Sequence, residues 1–240
     1  MAKKTPRDNE RRAIAEQMRQ QQARKERRRS VLILGACVVV VVGLLAAAVI
    51  PYVSKMRSDK ELAGTPLAEL GTSASAAGCS PVQTKKATGN NQHLTIGQKI
   101  PYADAPPASG PHWGNFLQGS EIRNFYTADD RPELERMVHS LEHGHTLVWY
   151  DDTVKPGTAS YSLLQKIADR IPQDDYFMAV PWKAGDGASF PSGKHVALTH
   201  WTGPDDQEGV TQYCGKPSGA AVADFMKKYP KTNTPEPGAA

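Results

Sequence analysis

Histidines of this chain are concentrated in the segment HSLEHGH, residues 139–145. On a helix with about 100° per residue, His139 and His143 are neighbours at positions i and i+4. The apolar residues around this motif share another face of the same helix; they are Leu134, Met137, Val138 and Leu141. The spacing therefore predicts that the two imidazoles point away from the core and can converge on one metal ion.

Glu142 lies beside this pair, and the string H-x-x-E-H also matches the inverted signature of zinc peptidases. Those enzymes carry the motif inside a long helix, whereas Gly144 ends the predicted helix one residue after the motif. The context therefore argues against such a peptidase. A solvated helix face, on which Glu142 pairs with the histidines, is the alternative to a metal site and stays open.

A third histidine lies in the proline-rich loop PPASGPHW, residues 106–113. Proline restricts the loop backbone, so His112 is expected to be held in a fixed position, and rigid loops are where sites tend to form. An equally good interpretation is that His112 caps a turn while Trp113 fills the core.

The predicted metal ligands are His112, His139, His143 and Glu142. Imidazole-rich sites suit zinc or copper, and the residue types do not separate these two ions. A metal-free alternative uses Ser109, His112 and Glu142 as nucleophile, base and orienting group, although Ser109 is more typical of a turn.

The remaining histidines are expected to contribute less to a site. His195 and His200 flank a predicted strand at an odd separation, so they lie on opposite faces and at most one can join a site. His93 is expected at the surface.

The elements that must position these residues alternate along the chain. Strands are predicted at 93–96, 145–150, 177–182 and 195–201, and helices at 132–143, 158–171 and 220–229. This order predicts an α/β or α+β domain, a mixed sheet of about four strands with three helices packed on it. Thioredoxin-like folds share the order of elements, but the chain contains no C-x-x-C motif.

The segments PPASGPHW and MVHSLEHGHTLVWY together resemble the hallmark of a bacterial family, domain-of-unknown-function family 3105. Its members carry a Pro-rich SG-x-H loop, then an H-x-LEHG helix end and an apolar strand, often behind one N-terminal membrane helix. The resemblance covers roughly Cys79 to Tyr229. The matching positions are Ser109, Gly110, His112, His139, Glu142, His143 and Gly144. His145 departs from the pattern, and the resemblance implies domain limits and topology but no activity.

The segment 31–53 carries no charged side chain and is long enough to cross a hydrocarbon core of about 30 Å as one transmembrane helix. The thirty residues before it hold eleven Lys or Arg and four acidic residues, a net charge of +7 in a chain whose total is +4. By the positive-inside rule, the tail 1–30 lies in the cytoplasm and the C-terminal domain lies outside the cytoplasm. A cleaved signal peptide is the alternative, but its apolar run is normally shorter.

The basic tail is interpreted mainly as a topology determinant, with recruitment of anionic lipid or nucleic acid as the alternative. The remainder of the chain then carries a net charge of −3, the difference between +4 and +7. We therefore expect no nucleic-acid partner for the exposed domain. The bilayer, contacted through 31–53, is the one partner that the sequence indicates.

Composition divides the exposed part into three segments. Residues 54–78 are rich in Ala, Ser and Gly and predict a flexible stalk, 79–230 predict one globular domain, and 231–240 predict a disordered tail. Cys79 and Cys214 lie near the two ends of the domain and are expected to form a disulfide outside the cytoplasm. Two free thiols or a redox pair are the alternative.

Three functions are compatible with these observations. The first is an extracytoplasmic domain that binds zinc or copper. The second is a cell-envelope interaction module in which the histidines only order a loop. The third is a hydrolase, with or without a metal; the sequence does not decide whether the protein is an enzyme.

Overall fold

The computed structural model describes residues 64–238 without a gap, together with the run 40–45 and scattered residues between 18 and 49. The chain divides into two compact units, Met1–Glu61 and Leu62–Ala240. Most of the predicted cytoplasmic tail and transmembrane segment, 1–30 and 31–53, lies outside the described residues. Among the residues that are described, no helix is long and apolar enough to span a bilayer.

Within residues 64–238 the structure contains seven strands and three α-helices. The strands are β1 (Gln83–Lys86), β2 (His93–Leu94), β3 (His112–Trp113), β4 (Thr146–Tyr150), β5 (Phe177–Pro181), β6 (Val196–Trp201) and β7 (Glu208–Cys214). The helices are α1 (Leu134–Glu142), α2 (Ala159–Arg170) and α3 (Gly219–Lys228). Short 3-10 helices lie at Leu67–Glu69, Gly119–Glu121 and Gln173–Asp175.

Five strands form the main sheet, in the order β1-β7-β6-β4-β5. Strands β4 and β5 are parallel, and the other neighbours are antiparallel. The predicted mixed α and β class is therefore confirmed. The predicted strand at 93–96 lies outside this sheet, so the five strands include three of the four that the sequence predicts. The sequence prediction missed β1 and β7 because neither alternates cleanly, and it assigned β3 to the proline-rich loop; all four residues of β1 are exposed.

The helices cover both faces of this sheet. Along β4, Val148 and Tyr150 belong to the apolar cluster shared with α2 and α3, whereas Leu147 and Trp149 belong to the cluster shared with α1. This alternation follows from the two-residue period of a strand. The face that carries α1 also carries the second, two-stranded sheet formed by β2 and β3, because α1 packs against β3.

Side-chain caps fix where two of the helices begin. The Thr158 hydroxyl accepts a hydrogen bond from the backbone N–H of Tyr161, and the Ser218 hydroxyl accepts one from Ala221. Helix α1 instead ends sharply, because Gly144 has a φ of +98° that other residues rarely adopt.

The domain extends further towards both ends of the chain than composition predicts. In the predicted stalk 54–78, the described residues from 64 onwards pack on α3. In that segment Leu70 is buried, and its carbonyl accepts a hydrogen bond from the backbone N–H of Gly219.

The tail predicted to be disordered, 231–240, also differs from the prediction as far as residue 238. Thr234 is fully buried, and its hydroxyl donates to the carbonyl of Glu142 at 2.8 Å. Polar side chains order the tail because they satisfy carbonyls at the end of α1 that the helix leaves free.

Cys79 and Cys214 form a disulfide, as the sequence predicts. Cys214 is the last residue of β7, and the bond therefore ties the chain before β1 to the C-terminal end of the neighbouring strand. The linkage closes a loop that contains the seven strands described above and helices α1 and α2.

Candidate metal centre

Four side chains with metal-binding chemistry meet between the two-stranded sheet and α1. They are His93 on β2, His112 on β3, and His139 and Glu142 on α1. Each offers one ligand atom, and the four atoms all lie within 4.8 Å of one another. We call these four residues the His3Glu cluster.

The pairing of β2 with β3 brings the first two histidines together. His93 and His112 are direct partners in the parallel register, and their ring centroids lie 5.0 Å apart. The His139 ring comes from α1 and lies 4.9 Å from the ring of His93 and 4.4 Å from that of His112. Three imidazoles therefore share one small volume.

Backbone carbonyls orient two of these rings. The Nδ1 atom of His112 lies 2.9 Å from the carbonyl oxygen of Gly110, and Nδ1 of His139 lies 2.6 Å from that of Trp113. A carbonyl can only accept, so each Nδ1 carries a proton, and in the neutral ring each Nε2 carries a lone pair. Metal-ligating histidines are commonly fixed in this way, with the other ring nitrogen donating to a carbonyl.

Only one of the two carboxylate oxygens of Glu142 has a hydrogen-bond partner among the described residues. Its Oε1 accepts the backbone N–H of Asn91 at 2.8 Å. Its Oε2 lies 2.8 Å from Nε2 of His112 and 3.8 Å from Nε2 of His93. Although 2.8 Å is within hydrogen-bonding range, neither His112 Nε2 nor Glu142 Oε2 has a partner of acceptable geometry among the described residues.

The protonation states of two cluster members fit a cation. Burial and, to a smaller extent, positive charge on His112 and His143 lower the pKa of His139 to about 3. Burial opposes ionisation of Glu142, but the His112 ring and the Asn91 N–H together hold the pKa of its carboxyl below the usual value. At neutral pH the cluster therefore presents a neutral His139 and an ionised Glu142, the forms that bind metals.

The structure brings together three of the four predicted ligands and replaces the fourth. His143 is the residue that caps the C-terminus of α1, and its Nε2 lies 3.3 Å from Oε2 of Glu236 in the tail. Its ring packs on those of His139 and Phe116 and does not belong to the His3Glu cluster. His93 takes the fourth place and is exposed, as the sequence predicts.

The histidine face of α1 is also not solvated. His139 and His143 are each 2 % exposed, because residues after β3 and the tail cover this face. The angular spacing on the helix correctly separated the two histidines from the apolar face. It could not show that residues after β3 and the tail cover the histidine face. Trp113 is buried as well, so the proline-rich loop supplies both a core residue and a cluster residue.

The other predicted chemistry finds no geometric support. The Ser109 hydroxyl accepts the backbone N–H of Thr88, and within the described residues no hydrogen bond joins Ser109 to His112 or Glu142. Ser109 instead lines a cleft of about 540 Å³ beside β1.

His195 and His200 lie outside the cluster. The Nδ1 atom of His195 pairs with Asp151 at 2.8 Å, and Nε2 of His200 donates to the carbonyl of Asn233 at 2.8 Å.

Comparison with known proteins finds one family over most of the domain. The model of the family described as "Protein of unknown function (DUF3105)" matches residues 93–240, which include the whole His3Glu cluster. A second model, described as an inhibitor of host cell division protein domain, matches residues 9–61, less than a quarter of the chain. No curated protein and no solved structure matches the chain.

Proposed function

The chain belongs to the DUF3105 family, and we propose that its domain binds one transition-metal ion, zinc or copper, in the His3Glu cluster. The family match covers all four residues of the cluster, His93, His112, His139 and Glu142. The function that we infer from this cluster is that of a metal-binding domain.

One observation carries this proposal. His112 Nε2 and Glu142 Oε2 are buried, lie 2.8 Å apart and have no hydrogen-bond partner among the described residues. Because Nδ1 of His112 donates to the carbonyl of Gly110, the neutral ring directs the lone pair of Nε2 at the carboxylate of Glu142. Two facing lone pairs in a buried site are unfavourable unless a positive charge lies between or beside them, either a second proton on His112 or a metal ion.

A metal ion supplies that charge and also uses the other two residues. In a tetrahedral zinc site with ligand bonds of about 2.0–2.1 Å, the donor atoms are about 3.3 Å apart. The 2.8 Å and 3.8 Å separations that Glu142 Oε2 makes with His112 and His93 bracket this value. Three imidazoles and one carboxylate suit zinc or copper better than the hard ions magnesium and calcium, which prefer oxygen ligands.

We also propose that the domain lies outside the cytoplasm, on a chain anchored in the cell membrane through 31–53. The uncharged apolar segment and the basic tail before it support this orientation. The disulfide between Cys79 and Cys214 supports an oxidising compartment. Protease digestion of the domain in intact spheroplasts but not in inverted vesicles is the expected result; the reverse pattern would reject this topology.

Elemental analysis of the full-length chain tests the metal site. The chain should be purified in detergent without a polyhistidine tag, beside the variants His139→Ala and His195→Ala. We expect close to one zinc or copper ion per chain in the parent and in His195→Ala, and none in His139→Ala. Absence of metal from the parent, even after incubation with both ions, would reject the proposal. The cluster would then be a metal-free hydrogen-bonding network, as expected for an interaction module of the cell envelope.

A further inference from the structure

The members of the His3Glu cluster differ in their access to solvent. The side chains of His112 and Glu142 are fully buried, and His139 is 2 % exposed. The side chain of His93 is 44 % exposed. The cluster therefore has three buried candidate ligands and one candidate ligand, His93, that separates them from solvent.

The rings also differ in how they are anchored. A carbonyl binds Nδ1 of His112 and of His139, which fixes both rings in the orientation that directs Nε2 into the cluster. No hydrogen bond in the described part of the chain anchors the ring of His93. Its Nε2 is also further from Glu142 Oε2, at 3.8 Å compared with 2.8 Å for His112.

The backbone before His93 is fixed, so its freedom is confined to the side chain. Gly89 adopts a φ of +79° where the chain passes the proline-rich loop, and a Cβ at this position would lie 2.2 Å from Pro111 N. Two residues before His93, the backbone N–H of Asn91 is held by Glu142. Rotation of the His93 side chain about its own bonds can therefore open the cluster without moving the loop.

From this asymmetry we infer that His93 is an exchangeable ligand, and that its position on the bound ion accepts a small monodentate Lewis base such as water, azide or imidazole. The inference rests on the proposed metal site. In the exchange, the bond between the ion and His93 Nε2 breaks and a bond to the lone pair of the incoming molecule forms. No electron is transferred, and neutral imidazole leaves the charge of the site unchanged.

Three fixed protein ligands and one replaceable position distinguish catalytic zinc sites from structural ones, in which all four ligands are permanent. An ion held by His112, His139 and Glu142 would present this arrangement whenever His93 is displaced. The chemical class of ligand that the site takes is thus a small molecule with one nitrogen or oxygen donor, arriving from the solvent side.

A cobalt titration tests the inference, because the visible absorption of bound Co²⁺ changes with its ligands. The full-length chain is compared with His93→Gly, His139→Gly and the control His195→Gly, whose histidine is similarly exposed at 38 % but lies outside the cluster. We expect His93→Gly to bind Co²⁺ with an affinity lowered by only about 10- to 100-fold, as small a loss as removal of a group that supports the ligands, because water takes the position of His93. Added imidazole should shift its spectrum and restore affinity, whereas His139→Gly should show no binding in the same range.

Three results would contradict these expectations, and they are distinguishable. Loss of Co²⁺ from His93→Gly as complete as from His139→Gly would show that His93 is an obligatory ligand. Binding by His93→Gly with a spectrum that neither imidazole nor azide alters would show that the position is closed. Absence of Co²⁺ from the parent chain would reject the metal site itself. Should His93→Gly lose its cooperative thermal unfolding, His93→Gln provides the same comparison with less change in volume.

Discussion

Replacing Glu142 by Gln changes the charge of the His3Glu cluster while nearly preserving its shape. The amide oxygen can keep the hydrogen bond from the backbone N–H of Asn91. The amide nitrogen then occupies the place of Oε2, 2.8 Å from Nε2 of His112, and donates to its lone pair. We therefore expect the metal-free variant to have a free energy of unfolding within about 1 kcal/mol of the parent.

The metal-bound state should respond very differently. Removing one partner of a buried charge pair costs about 3–5 kcal/mol, and each 1.4 kcal/mol is tenfold in affinity. The Glu142→Gln variant should therefore bind the ion about 100- to 4,000-fold more weakly. The amide also turns its N–H groups towards the ion, which a carboxylate does not do.

Thermal unfolding converts this loss of affinity into a shift in Tm. At a free metal concentration of 1,000 Kd, binding stabilises the parent by about 4.1 kcal/mol, whereas a 1,000-fold weaker site gains only about 0.4 kcal/mol. For a domain of this size, 1 kcal/mol corresponds to about 2–4 °C. Addition of metal should therefore raise the Tm of the parent by about 8–16 °C and that of Glu142→Gln by about 1–2 °C.

Glu135→Gln provides the matched control. Glu135 is another buried carboxylate of α1, and its Oε1 accepts the backbone N–H of Ile100 at 3.2 Å, but it lies outside the cluster. Its metal-induced shift in Tm should equal that of the parent. Equal shifts in Glu142→Gln and the parent would refute the reasoning, as would a metal-free Glu142→Gln that is destabilised by several kcal/mol.

Three further perturbations test the structure around the cluster. Burial lowers the pKa of His145 to about 4. Between pH 6.5 and pH 4 the unfolded chain therefore binds a proton that the folded chain excludes, and the free energy of unfolding decreases as the pH is lowered. His145→Gln in the metal-free protein should remove about 2 kcal/mol of the stability difference between pH 7 and pH 5, measured by urea unfolding. Gly144→Ala should lower the free energy of unfolding by more than about 3 kcal/mol, because Gly144 has a φ of +98° and a Cβ there would lie 2.3 Å from the carbonyl oxygen of Lys231. Cys79→Ser with Cys214→Ser opens a loop with a sequence separation of 135 and should cost up to about 5 kcal/mol in urea unfolding.

Each of these perturbations has a control on the same molecule. His195→Gln leaves the buried His145 in place and should preserve the pH dependence; a loss of the same size in both variants would contradict the assignment. Gly157→Ala imposes a similar φ of +87° with no atom within 4 Å, so it isolates backbone strain from the clash at Gly144. We expect the double serine variant to be as stable as the reduced parent and far less stable than the oxidised parent. Equal stability of all three proteins would contradict the disulfide prediction.

Local patterns in the sequence were sufficient for several features. The three helices were predicted within about two residues of their ends, because apolar spacing and capping residues act over one or two turns. The disulfide followed from the positions of Cys79 and Cys214 and an extracytoplasmic interpretation of the chain. His112, His139 and Glu142 were found because each lies in a short segment whose composition is distinctive by itself.

Long-range contacts decided what those patterns could not. His93 enters the cluster only because the strand predicted at 93–96, observed as β2, pairs with β3, and the two residues of β3 have no measurable periodicity. His143 lies outside the cluster, and its Nε2 is 3.3 Å from Oε2 of Glu236 in the tail, far along the chain. The same distant contacts order the tail itself, whose composition predicts disorder.

The sequence by itself determined which chemical groups this protein has available: imidazoles and a carboxylate on a helix end and a stiff loop. The tertiary structure alone decided which four of these groups share one volume, which are buried and which one faces solvent. The physical reason is that ligand geometry depends on atoms brought within a few ångströms by sheet pairing and helix packing, and the separation of residues along the chain does not encode those distances.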